Sequence, residues 1–412
     1  MTTAKPTNGL LPHLFRQEFA KMTAVLCRHF GLKHIEIAED IASETFLKAS
    51  EHWAVHGIPE NPTAWLYTVA KNKTKDYFKH KAVFDKQLKP DIAENSSEEY
   101  HLAYDDQMIA DSQLAMIFAV CNPANSVESQ ICLALQILCG FSIEEIANAF
   151  LAKTETIKKR LQRARATLRD DNFQIKSLTE SAIQSRLDAV LKTLYLVFNE
   201  GYFSKTNNQL IRKDLCSEAL RHTLLLTENS LTNTSQTIAL LALMCFQSSR
   251  LEARIPQNGT VVLFNEQDRN HWNQPLIERG NYYLINAFST KDEVSKYHLE
   301  ASIAYWHTAK TDHDKWHYIL QLYNQLIIIE YSPVTALNRT FAFAQVYGKE
   351  KAIDEAEKLP QAENSYYHGL LGYLYAEINT EKAIAHYQQA IKLTSSKSEQ
   401  ATLKNEIKRL KS

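Results

Sequence analysis

Glycine and proline are scarce: each occurs 10 times in 412 residues, against roughly 7% and 5% in an average chain. Sheet-rich folds need many tight turns, and collagenous or low-complexity chains need far more of both residues, so those classes are excluded. The six cysteines (Cys27, Cys121, Cys132, Cys139, Cys216, Cys245) form no CxxC pair. A chain of this length does not need disulfides to stabilise its core, so they are expected to be reduced core residues. Long apolar runs are missing too: the longest, such as ICLALQILCGF and TIALLALMCF, are too short to span a bilayer, and no basic start with an apolar h-region appears. These absences predict a cytoplasmic protein with no membrane partner. Neither sign of charge dominates, with 46 basic and 47 acidic side chains and a net charge of −1. That total leaves a nucleic-acid partner open, because phosphate contacts depend on where basic residues cluster. What the chain does have is 45% apolar residues, enough to bury real cores.

From Leu14 to about Lys81 apolar residues recur at three and four, as in Ile37, Ile41 and Trp65, Val69, with one break at HGIPENP. Between Asp91 and Asp111 stand seven acidic residues and no Lys or Arg, the composition of a solvated linker. A helix-turn-helix rhythm follows. Ser126 and Glu128 open one helix, Gly140 closes it, Ser142-x-x-Glu145 forms a capping box, and Thr154 is expected to cap the third helix. Beyond Ser181 the helical pattern continues, interrupted by one hairpin signal, Asn258-Gly259, between Arg254-Ile255 and Thr260 to Leu263. Near the end, Leu337-Asn338-x-x-Phe341 recurs 34 residues later as Leu371-Gly372-x-x-Tyr375, the period of a tetratricopeptide repeat, and Ala383-x-x-x-Tyr387-x-x-Ala390 has its second-helix spacing. The expected fold is all-α: a helical bundle over 10–85, an acidic linker over 86–118, a helix-turn-helix unit over 119–171, a helical extension with a short β-hairpin over 180–290, and helical repeats over 295–412.

Three charge blocks carry the functional reading. Glu36, Glu39, Asp40, Glu44 and Glu51 stand against Lys48 alone on one helix, offering an acidic face to a basic protein surface. From Lys71 to Lys89 there are seven lysines, of which Lys71, Lys75 and Lys79 share a helical face that is costly without a polyanion. From Lys153 to Arg169, seven basic residues surround a buried stripe of Ile157, Leu161, Ala164 and Leu168, the make-up of a basic recognition helix.

AEDIASETFLKA, NPTAWLYTVAKNKTKDYFKHK and FSIEEIANAFLAKTETIKKRLQRARATLR resemble, in that order, regions 2 and 4 of extracytoplasmic-function sigma factors. YLVFNEGY, DLCSEALR, EQDRNHW and the terminal repeats are similar to the sigma subgroup with a long tetratricopeptide-like C-terminal extension. The resemblance implies an RNA polymerase sigma factor that directs promoter-specific initiation, with no catalytic residues, metal or cofactor. Glu39, Asp40, Glu44 and Phe46 match the helix that docks on the polymerase core, whose β′ and β subunits are the implied partners; Ser43 stands where the family often has Gln. Lys71, Asn72, Lys75 and Lys79 are the implied contacts to the −10 element. Thr154, Glu155, Thr156, Lys158, Lys159, Arg160 and Arg163 are those to the −35 duplex, with Arg165 and Arg169 facing solvent or the polymerase flap. Trp65, by its helical spacing, reads as core rather than as a base-stacking platform. The extension is expected to regulate activity, by packing on regions 2 and 4 or by holding a protein effector in its concave face.

Three alternatives stand beside this. Asn199, Glu200 and Asp268 in YLVFNEGY and EQDRNHW read equally well as caps of helices or turns. His307, His313 and His317 with Asp312 and Asp314 form a dense His/Asp cluster, but without HExxH they read better as a polar loop than as a metal site. A helix-turn-helix activator with a repeat-type sensor, never joining polymerase as its sigma subunit, has no use for the acidic helix or the lysine-rich segment.

Overall fold

The computed structural model describes residues 10–88, 105–150, 152–171, 173–176, 178–203, 212–254, 262, 264–289, 292–309, 314–360 and 363–411. It divides into two compact units, Met1–Ala147 with Ala152–Thr193 and Asn148–Leu151 with Leu194–Ser412.

The first unit contains α1 (Leu10–Phe30), α2 (Ile35–His56), α3 (Pro62–Leu88), α4 (Asp106–Val120), α5 (Val127–Leu133), α6 (Ile143–Ala149) and α7 (Thr154–Asp170). Its core gathers around α1, which packs on α2, α3 and α4. Met22, Val25, Leu26 and Cys27 from α1, Ile35 and Ala38 from α2, and Ile117 and Phe118 from α4 are all essentially inaccessible to water. The HGIPENP break separates α2 from α3, where Pro62 opens the helix and Asn61 Oδ1 accepts the Ala64 N–H at 3.0 Å. Asp105 caps α4 by accepting the Met108 N–H at 2.7 Å, and residues Ser112 to Val120 of that helix are buried, Ser112 to Phe118 of them inside the stretch expected as linker.

The helix-turn-helix rhythm is present in the backbone. Ser126 caps α5, which runs into a π turn over Ala134–Leu138, and Gly140 at φ 69° ends it in a conformation that favours glycine. The capping box is complete, with Glu145 N–H donating to Ser142 Oγ at 3.2 Å and Ser142 N–H donating to the Glu145 carboxylate at 2.8 Å. Thr154 does not cap α7. Lys153 occupies that position without a side-chain hydrogen bond, and Thr154 is the first helical residue.

The second unit begins inside α8 (Glu180–Phe203) and continues through α9 (Lys213–Thr227), α10 (Ser235–Ser248), α11 (Leu251–Arg254), α12 (Gln274–Ala287), α13 (Lys296–Thr308), α14 (Lys315–Ile329), α15 (Pro333–Tyr347), α16 (Lys349–Glu357), α17 (Ser365–Tyr375), α18 (Thr380–Leu393) and α19 (Lys397–Lys411). Its apolar α10 packs on α9, α12 and α13, and from α13 onward each helix packs on the next. Leu337 and Leu371, the two copies of one repeat position, share a core with Ala352, Ala356 and Ala383. Asn199 and Glu200 lie inside α8, whereas Asp268 caps a short 3₁₀ turn (Arg269–His271) by accepting the Asn270 N–H at 2.9 Å.

The expected β-hairpin is not there. Among the described residues no strand occurs: the approach to Asn258-Gly259 is helix up to Arg254, and the exit runs through a 3₁₀ turn at Phe264–Glu266. Among the described residues the Val262 N–H donates to the Arg254 carbonyl at 3.3 Å, and a hairpin needs a ladder of such bonds. Asn258 and Gly259 themselves lie outside the described residues.

Two predictions follow from packing in this unit. A Cβ on Gly372 would stand 2.5 Å from the Tyr387 ring, whereas one on Gly369, a turn earlier on α17, meets nothing within 4 Å. Thermal unfolding should therefore show Gly372→Ala destabilised by about 1–3 kcal/mol through overpacking, and Gly369→Ala stabilised by about 0.5–1 kcal/mol. The second concerns Glu300 on α13, whose carboxylate accepts from the Tyr195 hydroxyl at 3.1 Å. Burial pushes Glu300 up from 4.5 to about 7, with the Tyr195 bond and Lys296 opposing and Glu330 adding. Between those values the folded chain holds a proton that the unfolded chain has released, so this group's contribution to stability is full below about 4.5 and falls as pH rises through about 7. Urea unfolding across that range should show the decline, and Glu300→Gln should flatten it.

Candidate nucleic-acid interface

The basic helix α7 is anchored by Ile157, Leu161, Ala164 and Leu168, all buried, and by its C-terminal neighbour Asp171. The Asp171 carboxylate accepts from Asn122 Nδ2 at 2.9 Å and from Arg186 Nη2 at 2.7 Å. This fixes the helix's rotation and sorts its charges. Thr154, Glu155, Thr156, Lys158, Lys159 and Arg163 are exposed along the N-terminal part. Arg160 is half-buried, with Nη1 4.0 Å from the Cys132 sulfur.

The C-terminal part of α7 does something else. Arg165 spreads its guanidinium over two partners: Nη1 and Nη2 donate to the two carboxylate oxygens of Glu39 at 2.9 and 2.7 Å, and Nε donates to Gln136 Oε1 at 3.0 Å. Gln136 is carried by the π turn after α5. One turn further along α7, Arg169 Nη1 donates to Glu36 Oε1 at 2.5 Å. The two arginines thus clasp two acidic residues of α2, Arg165 largely out of solvent and Arg169 still partly in it. Beneath them on α1, burial pushes the Cys27 thiol far up and the nearby Glu39 charge adds to it.

The other acidic candidates on α2 have separate placements. Asp40 is exposed, and Glu44 pairs with Lys73 of α3 at 2.5 Å. Phe46 is buried, its ring 5.1 Å from Phe15 and 6.3 Å from Phe19, so it anchors α2 on α1 and offers no docking surface. On α3, Asn72, Lys75 and Lys79 are exposed and Lys71 is half-buried, while Thr74 of the opposite face is buried. Trp65 is half-buried, edge-on to buried Trp53 at 5.4 Å and 5.3 Å from the His52 ring. The structure therefore gives two exposed basic faces, on α3 and on the first half of α7, with the acidic face of α2 partly covered. The role of Arg165, Arg169 and Gln136 was not visible in the sequence. The signal was present as two acids three apart and two arginines four apart, but nothing in one dimension pairs them.

The helices α1 to α3 are those of a known module. Residues 14–83 match the model of Sigma-70 region 2, which supports a role in transcription initiation as a non-catalytic transcription factor. Residues 186–288 match a family of unknown function (DUF6596). Over 396 residues the chain is 32% identical to "Uncharacterized protein R00370" of Rhizobium meliloti (strain 1021), covering 93% of this chain and 92% of that one. The chain belongs to the family of that Rhizobium protein, and its helices α1 to α3 carry a Sigma-70 region 2 domain. No solved structure matches it. Among the described residues no helix is long and apolar enough to cross a membrane.

The clasp is measurable. Arg165 and Glu39 are 15% and 22% exposed, whereas Arg169 and Glu36 are 40% and 46% exposed. A double-mutant cycle of Arg165→Gln and Glu39→Gln, read by urea unfolding, should give a coupling of about 1–3 kcal/mol. The same cycle on Arg169 and Glu36 should give about 0–1 kcal/mol, as expected of a solvent-screened pair.

Proposed function

We propose that the protein is an RNA polymerase sigma subunit: α2 engages the polymerase core through Glu39, Asp40 and Glu44, α3 captures the −10 element through Lys71, Asn72, Lys75 and Lys79, and α7 reads the −35 duplex. The observation that carries this reading is the region 2 match over α1 to α3 together with the sorting of charge on α7. Thr154, Glu155 and Thr156 stand at the N-terminal end of α7, the end that reaches base edges in helix-turn-helix proteins, and Lys158, Lys159, Arg160 and Arg163 supply phosphate contacts. Neither basic face alone provides more than salt-dependent, largely sequence-independent affinity, so selectivity arises when polymerase holds both on one promoter. Strand opening then needs no catalytic group, since unstacked bases are captured as they leave the duplex. The helical repeats after α12 serve to hold a protein effector.

In this reading the clasp is the resting arrangement of α2. Polymerase competes with Arg165 for Glu39, and the same exchange releases the C-terminal half of α7. The favourable Arg165 contact is lost on docking, so it lowers the free chain's affinity for core and resists engagement without promoter or effector.

The test adds the purified chain to sigma-free core polymerase and selects promoters by the transcripts made. Promoter-specific initiation is expected; initiation that requires another resident sigma factor would instead assign the chain to the helix-turn-helix activators. Arg165→Gln should tighten core binding by at least about fivefold, the equivalent of the lower end of the clasp coupling. Lys158→Ala and Lys159→Ala should weaken promoter binding across sequences, each lowering the salt slope of log K by about one.

A further inference from the structure

The segment EQDRNHW and the histidine of α13 are left unused by the transcription reading, and they meet in the second unit. The ring of Phe264 is their hub. The Arg250 guanidinium carbon lies 5.2 Å from its centroid, Lys315 Nζ 5.8 Å, the His307 ring 5.0 Å and the Trp272 ring 6.1 Å. Arg269 adds a further cation 5.1 Å from the Trp272 ring. Lys315 is only 7% exposed and Trp272 only 9%.

Among the described residues neither Arg250 nor Lys315 has an ion-pair partner; Arg250 Nη2 meets only the Tyr202 hydroxyl, at 3.0 Å, and Lys315 meets aromatic faces. The acids of the same segment are engaged elsewhere, Glu266 with Arg409 of α19 at 3.2 Å and Asp268 with the Asn270 N–H. Hydrogen-bonding capacity is left over as well: Arg250 Nε, Trp272 Nε1, His307 Nδ1 and Gln267 Oε1 are buried without a partner. Burial, with repulsion from Arg269 and Arg250, holds Lys315 below the ordinary lysine value. Burial and the charges of Arg250 and Lys315 drive His307 down to about 3, so it is neutral here. Folded proteins pair buried charges or use them to hold ions, and water satisfies hydrogen bonds without cancelling charge.

We propose that this cluster is a binding site for an oxyanion, a phosphate or carboxylate group held between Arg250 and Lys315 with the Trp272 indole N–H as a further donor. A guanidinium, an ammonium and an indole N–H are all donors, and an oxyanion is acceptor-only, so the leftover donors and the uncancelled charge call for the same ligand. The aromatic walls exclude competing water and strengthen the attraction. Arg250, Phe264, Gln267 and Trp272 lie within the stretch matched by the family of unknown function. Lys315 and His307 come from α14 and α13, so a ligand here ties that stretch to the start of the helical repeats.

Isothermal titration calorimetry on the full chain, with inorganic phosphate and separately with citrate at fixed ionic strength in chloride, tests this independently of any transcription assay. Saturable binding of one of the two anions is expected and identifies the group as phosphate or carboxylate. Arg250→Gln and Lys315→Met should each weaken it by about tenfold or more, the loss of a charge-assisted contact, while Lys213→Gln on α9 leaves it unchanged. In chloride alone Lys315→Met should melt at or above the wild-type temperature, since it removes an uncancelled buried charge. No saturable binding of either anion, binding unchanged in both cluster variants, or a Lys315→Met chain that melts lower would each overturn the proposal.

Discussion

The rotation of α7 about its own axis is set by four buried side chains, and the roles of its charges follow from it. Ile157, Leu161, Ala164 and Leu168 recur at intervals of four, three and four, so they form one narrow stripe. With that stripe packed, Lys158, Lys159 and Arg163 are in water and Arg165 and Arg169 flank the contact with α2. A shift of one position would exchange these groups. The hydrophobic stripe, which contacts no nucleic acid, therefore decides which cations are available to a polyanion and which are spent on Glu36 and Glu39.

The pairing on α2 gives the first unit a property that neither helix has alone. A carboxylate held by a full guanidinium fork is already occupied, so a basic group reaching Glu39 must displace Arg165 and compensate for Gln136. The aromatic packing of Phe46 takes an apolar side chain off the exposed face of α2 and uses it to hold α2 on α1.

In the second unit, helices that each pack on the next make a core by local contacts, with glycine and alanine where axes approach and tyrosine filling the space beside them, as at Gly372 and Tyr387. Such a stack closes mainly through these apolar contacts, and among the described residues no acid pairs with Arg250 or Lys315 beside Phe264. Glu266 is close in sequence to that group and is drawn off by Arg409, 143 residues away along the chain.

Helix positions, most caps and the amphipathic stripes were legible in the sequence because they depend on neighbours within a turn or two: Ser126, the Ser142/Glu145 box, Pro62 and the stripe of α7 all stand where spacing put them. The misreadings were also local. Asn-Gly suggested a hairpin, but the described flanks are helix up to Arg254 and a 3₁₀ turn from Phe264. Asn199 and Glu200 looked like caps because their residue types favour caps, yet the apolar stripe of α8 carries the helix through them. Composition and periodicity by themselves determined that this chain is helical and carries two basic faces and one acidic face. Only the tertiary structure decided that the acidic face is clasped by Arg165 and Arg169, that Phe46 is core, and that Arg250, Trp272, His307 and Lys315 surround one ring. Periodicity reports which side of a helix is buried, whereas which helix lies against that side is set by packing between segments far apart in the chain.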